Sequence, residues 1–278
     1  MTENLTLVTG GTGKTGRRVV QRLTAQDRPV RIGSRSGGVP FDWADPATWE
    51  PALEGVGAAY VSYYPDLAAP GAPAAVGSFA EAALKAGARR LVLVSGRGEE
   101  AAQAAEKVLA ASGADWTVLR CSWFNQNFSE SHLLDPVVAG HFYLPAGEVG
   151  EPFVDADDIA DAAAAVLTQD GHLGQVYELT GPRLLTFPEA VAAIAAATGR
   201  GIGYTRISAA EMSESLTAEG VPADVVELLA YLFTTVLDGR NAHVCDGVQR
   251  ILGRPPRDFA DYARDTAATG VWNGDVTR

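Results

Sequence analysis

A glycine-rich turn near the N-terminus is the first feature whose residue types suit a chemical task. Residues 5–23 read LTLVTGGTGKTGRRVVQRL. They contain a Gly-x-Gly-x-x-Gly spacing and also the Gly-Lys-Thr that ends a phosphate loop of the Walker A type. The Walker A spacing requires a glycine at position 8, where this chain has Val8. The spacing therefore argues against a nucleoside-triphosphate loop and predicts a dinucleotide site.

The order of elements around the glycines supports this prediction. Gly11, Gly13 and Gly16 follow a short β-rich run and open a helical pattern. Glycine permits a tight turn and a close approach of the backbone to a pyrophosphate, and the amino end of a helix offers amides to that anion. A glycine-rich turn without a ligand is the alternative.

The residues after the second predicted strand indicate which dinucleotide is bound. A site for NAD usually places Asp or Glu there to hold the ribose 2′-hydroxyl, whereas this strand ends Gly33-Ser34-Arg35-Ser36. A guanidinium between two hydroxyls suits the 2′-phosphate of NADP(H), because it forms forked, charge-assisted hydrogen bonds. We predict NADP(H), with Lys14 as a second cation, and a solvated Arg35 is the alternative.

The elements that position these residues alternate along the chain. Alternating strands and helices build a doubly wound parallel sheet, so the fold class is α/β, Rossmann-type, with a small, mostly helical C-terminal part. We predict an NADP-binding domain over residues 1–150 and a smaller substrate-binding region, interleaved with the sheet, over 151–278. The predicted strands are 5–9, 30–34, 58–62, 90–95, 116–120 and 176–180, and the predicted helices include 14–26, 77–86, 99–112, 186–198, 209–239 with a break at 220–222, and 258–267.

Composition narrows the class of partner. The net charge is -12 and the pI about 4.8, so the surface repels phosphate backbones and nucleic-acid binding is not expected. Cys121 and Cys245 are far apart, which fits a reducing compartment. The N-terminus lacks the pattern of a signal peptide, and no apolar run is long enough to span a bilayer. We expect a cytoplasmic protein, a monomer or homodimer, that binds a small-molecule substrate and neither a membrane nor nucleic acid.

Several segments together resemble a known family. The segments VTGGTGKTGRRVVQRL, IGSRS, FDWADPATW, DWTVLRCSWFNQNFSE, PFVDADDIADAAAAVL and GRPPRDFADYA occur in the order typical of the NmrA-like atypical short-chain dehydrogenases/reductases. The branch that is most similar contains the ergot-alkaloid iminium reductases and their bacterial relatives. The resemblance covers nearly the whole chain and implies NADPH as cofactor, with reductase activity in some members and redox sensing without chemistry in others.

The resemblance also implies roles for individual residues. Cofactor contacts are implied for Gly10, Thr12, Gly13, Lys14 and Thr15 at the pyrophosphate, Arg35 and Ser36 at the 2′-phosphate, Asp42 and Trp43 near adenine, and Tyr63 near the nicotinamide ribose. Substrate contacts are implied for Tyr64, Phe124, Asn125, Asn127 and Phe128. Asp42 also suits a turn, the asparagines also suit stabilisation of a turn between the two parts of the chain, and the phenylalanines also suit packing.

The usual catalytic pair of short-chain dehydrogenases is missing. Those enzymes place Tyr-x-x-x-Lys on the helix after the fifth strand, where the tyrosine transfers a proton. Residues 95–113 read SGRGEEAAQAAEKVLAASG, with no tyrosine and with Lys107 away from the expected position. Ser95 is the remaining catalytic candidate, and it either orients substrate or cofactor or caps the next helix.

The missing proton donor predicts the kind of acceptor. Hydride addition to a ketone leaves an alkoxide that must be protonated, whereas an iminium becomes a neutral amine without a proton donor. A quinone or conjugated carbonyl leaves a stabilised oxyanion. We predict an NADPH-dependent reductase of an electron-poor small molecule, in which binding and orientation supply most of the rate. The alternative is a non-catalytic NADP(H) sensor of the NmrA type.

No metal site is predicted. Four acids, Asp155, Asp157, Asp158 and Asp161, lie close together in the sequence. The amino end of a helix favours negative charge, so we attribute these acids to helix capping.

Overall fold

A computed structural model describes residues 5–274. The first four residues of the N-terminal segment, on which the prediction of no signal peptide partly rests, lie outside the described residues. The strands are β1 (Leu5–Thr9), β2 (Val30–Ser34), β3 (Val39–Pro40), β4 (Val56–Val61), β5 (Arg90–Gly96), β6 (Asp115–Cys121), β7 (His141–Leu144), β8 (Gln175–Leu179) and β9 (Gly203–Arg206).

The α-helices are α1 (Gly16–Ala25), α2 (Trp49–Leu53), α3 (Ala72–Ala86), α4 (Glu100–Ala111), α5 (Asn127–Glu130), α6 (Leu134–Ala139), α7 (Ala156–Thr168), α8 (Phe187–Thr198), α9 (Ala209–Ala218), α10 (Ala223–Tyr231), α11 (Gly247–Leu252) and α12 (Phe259–Ala268). A 3₁₀ turn over Pro46–Thr48 precedes α2, and a π-helical turn over Leu232–Val236 follows α10. Within the described range, no helix has the length and apolar character that a membrane crossing requires.

The chain forms two compact units whose segments alternate along the sequence. Unit 1 contains the described residues up to Cys121, with Ala156–Leu179 and Asp246–Pro255, and unit 2 contains Ser122–Asp155, Thr180–Cys245 and the described residues from Pro256 onward. A single cut at residue 150 does not reproduce this division. The assignment of cofactor binding to residues 1–150 and of substrate binding to residues 151–278 stays a prediction.

Unit 1 is built on a seven-stranded parallel sheet with the order β3-β2-β1-β4-β5-β6-β8. The strand order reverses between β1 and β4, which makes this position the topological switch point. In open α/β sheets, ligands bind outside the carboxyl ends of the strands at that point. The predicted doubly wound Rossmann-type sheet is confirmed.

The helices of unit 1 cover the sheet with apolar faces. Val19 and Leu23, four residues apart on α1, are fully buried. Leu91 and Leu93 of β5 belong to a core cluster that also contains Phe79 of α3 and residues of α2 and α4. Alternate residues of one strand therefore share one face of the sheet, as the pleat requires.

Unit 2 has a core rich in aromatic side chains and contains a small parallel sheet of β7 and β9. Phe128 and Phe187 are fully buried there, and Trp272 Nε1 donates to the Phe128 carbonyl at 2.8 Å. The two strands have no counterpart in the sequence-based predictions.

The predicted start and end of α8 are confirmed. Thr186 Oγ1 accepts the Glu189 amide at 3.2 Å, and Glu189 Oε2 accepts the Thr186 amide at 2.8 Å. This capping box satisfies two amides that lack a partner within the helix. The helix ends before Gly199, whose φ of +66° suits a residue without a side chain.

Candidate functional site

The turn between β1 and α1 has the close packing that its glycines predict. Gly10 has a φ of +61°, and Gly16 begins α1. A Cβ at residue 16 would overlap the carbonyl oxygen of Gly10 and lie 2.9 Å from Gly11 Cα. A Cβ at residue 11 would lie 2.8 Å from Ile32 Cγ2. Glycine is required because the turn, the helix and β2 approach so closely.

The outer side of this turn suits an anion. Thr12 and Gly13 are exposed, and Lys14 is half-buried in the same turn. The Gly13 amide donates to the Gly10 carbonyl at 2.8 Å. Among the described residues, no hydrogen bond uses the amide of Thr12 or Thr15. With the amino end of α1 beside them, these amides fit a pyrophosphate group.

Three hydroxyl groups meet where the turn faces the carboxyl end of β2. Thr12 Oγ1 lies 2.8 Å from Ser34 Oγ and 3.4 Å from Ser36 Oγ, and the two serine oxygens are 3.3 Å apart. The Ser36 amide also donates to Ser34 Oγ at 3.1 Å, which holds the loop in this shape. Ser34 is buried, and it is one of the two hydroxyl residues that flank Arg35 in the predicted 2′-phosphate site, although the resemblance implies no contact for it.

Arg35 stacks on a tyrosine of the loop that follows β4. Its guanidinium carbon lies 4.2 Å from the ring centre of Tyr64, whose side chain is 59% exposed. A cation–π contact of this kind restricts the position of the guanidinium group. The structure therefore brings Tyr64, which the resemblance assigns to the substrate, beside the residue predicted for the 2′-phosphate.

Trp43 and Tyr63 lie together in an aromatic group. Their ring centres are 5.0 Å apart, and Trp43 Nε1 donates to the Ser62 carbonyl at 2.9 Å. Asp42 Oδ1 accepts the Ala44 amide at 3.0 Å. The turn role considered for Asp42 is observed, whereas its contact with adenine stays a prediction.

A side-chain contact joins the loops after β1 and β4 at the switch point. Thr9 is fully buried, its Oγ1 accepts the Ser62 amide at 2.9 Å, and it lies 3.1 Å from the Tyr60 carbonyl, to which it donates. The contact fixes the start of the loop that carries Tyr63 and Tyr64 against the glycine-rich turn.

Ser95, near the end of β5, directs its hydroxyl into a buried ion pair. Its Oγ donates to Glu106 Oε1 at 2.6 Å, and Arg120 Nη2 donates to Glu106 Oε2 at 2.6 Å. Ser95 and Glu106 are each 5% exposed. Glu106 lies in the middle of α4, so Ser95 does not cap that helix. A role of Ser95 in orienting substrate or cofactor stays a prediction.

We expect the Ser95→Ala variant to lose about 1.5–3 kcal/mol of unfolding free energy, because a buried hydrogen bond to a charged group is removed. Its affinity for NADPH should not change. Urea denaturation and cofactor titration measure the two quantities. Ser112→Ala is the control, since the Ser112 hydroxyl donates to the Leu109 carbonyl at a half-buried position. A Ser95 variant with unchanged stability and lost activity would instead support a direct role in the reaction.

Two carboxyl groups that were not predicted meet at the carboxyl ends of β4 and β5. Asp66 follows β4 by five residues, and Glu99 follows β5 by three. Asp66 Oδ1 accepts the Ala68 amide at 2.8 Å. A Cβ at residue 96 would overlap Glu99 Oε1, so Gly96 leaves the space that this carboxyl group occupies. The position of both acids after adjacent parallel strands was a signal that sequence reasoning missed.

The environment of this carboxyl pair favours its protonated form. Burial, together with the charge and hydrogen bond of Asp66, raises the pKa of Glu99 to about 8. Burial also raises the pKa of Asp66. Glu99 Oε2 is buried, and no hydrogen-bond donor among the described residues reaches it. Two such carboxylates repel each other, so the pair holds a proton at neutral pH.

Similar proteins span almost the whole chain, although no protein-family model matches it. The oxidoreductase YesF of Bacillus subtilis is 34% identical over 98% of this chain and 99% of its own length. The NAD(P)H azoreductase of Xenophilus azovorans is 31% identical over 94% of this chain and 98% of its own. The agroclavine dehydrogenase of Claviceps fusiformis is 31% identical over 96% of this chain and 98% of its own length.

The chain belongs to the NmrA-like atypical short-chain dehydrogenase/reductase family. These relatives are named as oxidoreductases and share 31–34% of their residues with the chain over nearly its whole length, and the chain is accordingly an NAD(P)H-dependent oxidoreductase.

Solved structures show the same fold as this NmrA-like reductase. The triphenylmethane reductase of Citrobacter sp., complexed with NADP(H), has a TM-score of 0.74 at 22% identity and covers 94% of this chain and 99% of its own. The quinone oxidoreductase QOR2 of Escherichia coli, complexed with NADPH, has a TM-score of 0.79 at 23% identity. The match covers 94% of this chain and 99% of that protein. Both confirm the Rossmann-type architecture.

Four of the five predicted substrate residues lie in unit 2 of this NmrA-like reductase, namely Phe124, Asn125, Asn127 and Phe128. Asn125 is fully buried, and its Nδ2 donates to Asp155 Oδ2 at 3.2 Å. Phe128 is also fully buried, whereas Phe124 and Asn127 are half-buried. Asn125 and Phe128 therefore contribute to the interior of unit 2. Substrate contact stays a prediction for all four residues.

Two acids of α7 form ion pairs with arginines of α1, and the capping role assigned to the four acids stays a prediction. Asp157 Oδ2 lies 3.3 Å from Arg18 Nε, and Asp161 Oδ1 lies 2.7 Å from Arg22 Nε. These pairs join α7 to α1 within unit 1 of this NmrA-like reductase. Because the groups are partly exposed, each pair contributes little to stability.

Proposed function

We propose that this NmrA-like reductase uses NADPH and transfers a hydride to an electron-poor small molecule, namely an iminium ion, a quinone or a conjugated carbonyl compound. The observation that carries the cofactor assignment is the group of three hydroxyls from Thr12, Ser34 and Ser36 beside Arg35. A site for NAD has an acid at this end of β2. A carboxylate there would repel a 2′-phosphate, whereas hydroxyls and a guanidinium bind it.

The residues of unit 1 fit the rest of the cofactor. Gly13 leaves room for the pyrophosphate, and the amides of Thr12 and Thr15 suit its charge. When bound, the cofactor supplies a hydride, which carries two electrons. We assign cofactor contacts to Gly10, Thr12, Gly13, Lys14, Thr15, Arg35, Ser36, Asp42, Trp43 and Tyr63.

The proposed class of acceptor follows from the groups around the end of β5. Residues 95–113 contain no tyrosine, and Ser95 already donates to Glu106. A simple ketone accepts a hydride only while a donor such as a tyrosine polarises its carbonyl group, whereas an electron-poor acceptor takes the hydride without such a donor and becomes either neutral or a stabilised anion. Relatives and structural neighbours named as azo, triphenylmethane and quinone reductases favour acceptors of this kind. Substrate contacts are proposed for Tyr64, Phe124, Asn125, Asn127 and Phe128.

A panel of acceptors tests the proposal. The protein is mixed with NADPH and, separately, with a cationic triphenylmethane dye, a para-quinone, an iminium salt, an enone or cyclohexanone, and the loss of NADPH absorbance is followed. We expect turnover of at least one of the first four and none of cyclohexanone. Turnover of cyclohexanone alone would contradict the proposed acceptor class. Tight NADPH binding without any turnover would indicate the redox sensor instead.

A further inference from the structure

The proposed reaction requires a proton for some of its acceptors, and a pair of carboxyl groups whose environment favours the protonated form lies at the carboxyl edge of the sheet. Asp66 and Glu99 lie in the loops after β4 and β5, two neighbouring strands. The loop after β4 adjoins the switch point between β1 and β4, outside which ligands bind in such sheets, and the loop after β5 follows the next strand of the sheet. The loop that carries Asp66 also carries Tyr63, for which a contact with the nicotinamide ribose is proposed.

We propose that Glu99 is the proton donor for acceptors that become oxyanions on reduction, and that Asp66 is the positioning residue that keeps the proton on Glu99. The proposal rests on the proposed reductase function. It deepens that function, because it assigns a proton source where the tyrosine of common short-chain dehydrogenases is missing.

The step balances in atoms and electrons. A quinone takes the hydride, with its two electrons, and becomes a hydroquinone monoanion. The O–H bond of Glu99 then breaks as a new O–H bond forms on the oxyanion, and a neutral hydroquinone leaves. The Glu99 carboxylate regains a proton from water. A cationic triphenylmethane dye takes the hydride at its central carbon and becomes neutral, so it needs no proton.

The packing around Glu99 holds its carboxyl group in one place. Gly96 leaves space for Glu99 Oε1, and the residue as a whole is 8% exposed. The charged group that faces it is Asp66, which is held by the Ala68 amide. The neighbouring Arg97 pairs with Glu178 at 2.8 Å. Within the described residues, no hydrogen-bond donor reaches Glu99 Oε2.

The acidity of Glu99 suits this task. Its pKa of about 8 keeps the group protonated at neutral pH. A phenolic oxyanion such as a hydroquinone monoanion has a conjugate acid with a pKa near 10, as for tyrosine. Transfer from Glu99 to that oxyanion is therefore favourable, and donors with a pKa close to the working pH are the most effective.

A comparison of two acceptors in one variant separates proton donation from a structural role. In Glu99→Gln we expect kcat for a para-quinone to fall by at least about 10-fold, because general acids typically contribute that much or more. The kcat for a cationic triphenylmethane dye should stay within about twofold, because that acceptor takes only a hydride. Glu100→Gln, the same change at the exposed next residue, should leave both values unchanged. Wild-type quinone turnover should fall above pH 8, while dye turnover should not.

A measurement on the protein without cofactor checks the protonation itself. The pKa of Glu99 is about 8 in the folded chain and ordinarily 4.5, so the folded state binds this proton more tightly than the unfolded state. The associated stability is complete below about pH 4.5 and is lost as the pH rises through 8. The melting temperature of Glu99→Gln relative to wild type should therefore rise between pH 5 and pH 8.

Three outcomes would overturn the proposal. An unchanged quinone kcat in Glu99→Gln would show that water supplies the proton. Equal losses with quinone and dye would show a structural role. Parallel melting curves of variant and wild type across the pH range would show that Glu99 holds no proton. Failure of the proposed function is recognised separately, because wild type would then reduce neither acceptor.

Discussion

The Arg35→Asp variant is expected to bind NADPH at least about 100-fold more weakly, while its affinity for NADH changes by less than about threefold. The guanidinium lies over the Tyr64 ring, and Arg35 stands in the sequence between Ser34 and Ser36, whose hydroxyls lie close to that of Thr12. Each charge-assisted hydrogen bond to the 2′-phosphate contributes about 1.5–3 kcal/mol, and a loss of about 3 kcal/mol corresponds to a factor of 100. Fluorescence titration with each cofactor measures the effect.

Arg28→Asp is the matched control for this charge reversal. Arg28 is exposed and precedes β2, so it lies at the opposite end of the strand from Arg35. Its substitution should change neither affinity by more than about twofold, since exposed distant charges are screened. Unchanged NADPH affinity in Arg35→Asp would show that Arg35 is a solvated loop residue. Equal losses for both cofactors would show that it acts on a part of the cofactor that NADPH and NADH share.

The Gly16→Ala variant is expected to lose about 3 kcal/mol of unfolding free energy, which lowers the melting temperature by about 5–10 °C. A Cβ at residue 16 overlaps a backbone carbonyl, that of Gly10, and backbone cannot move aside as a flexible side chain does. NADPH affinity should fall as well, because the turn must open. Differential scanning calorimetry and cofactor titration measure the two effects.

Gly13→Ala separates packing of the turn from contact with the cofactor. A Cβ at residue 13 would lie 3.1 Å from the Gly10 carbonyl, on the exposed side of the turn. This variant should nearly keep the melting temperature yet lose NADPH affinity, because the methyl group occupies the path of the pyrophosphate. A Gly16→Ala variant that melts like wild type would contradict the packing described for the turn.

The strands of the large sheet were the part of the fold most readily predicted. The predicted limits of β1 and β2 agree with the structure, because each strand is a short β-rich run that ends at turn residues. Helix α3 was predicted to begin at Gly77, whereas it begins at Ala72. The prediction overlooked Pro73, which is tolerated in the first turn of a helix, where its missing amide has no partner in any case.

Unit 2 was harder to predict because distant segments pair within it. The strands β7 and β9 have four residues each. Their pairing joins segments on either side of α7 and α8, and no local pattern marks such a contact. The segment Ser122–Asp155 belongs to unit 2, although most of it precedes the predicted boundary at residue 150.

The candidate site was predictable where one loop carries the signal and not where two loops meet. The shape of the glycine-rich turn could be predicted because the spacing of its glycines lies within one short segment and determines the conformation of that segment. The bond from Ser95 to Glu106 depends on how α4 packs on β5, and neither role predicted for Ser95 includes it. The contact of Arg35 with Tyr64 and the pairing of Asp66 with Glu99 likewise depend on the positions of separate loops.

Direct hydride transfer is the measurement closest to the central proposal. NADPH that carries deuterium at both positions of C4 of the nicotinamide ring is incubated with the protein and a cationic triphenylmethane dye or a para-quinone methide, and the product is analysed by mass spectrometry. We predict that the reduced carbon gains one deuterium and that oxidised cofactor forms in equal amount. Saturating NADPH binding with no deuterium transferred to either acceptor would contradict the reductase function and indicate a protein that only senses the cofactor.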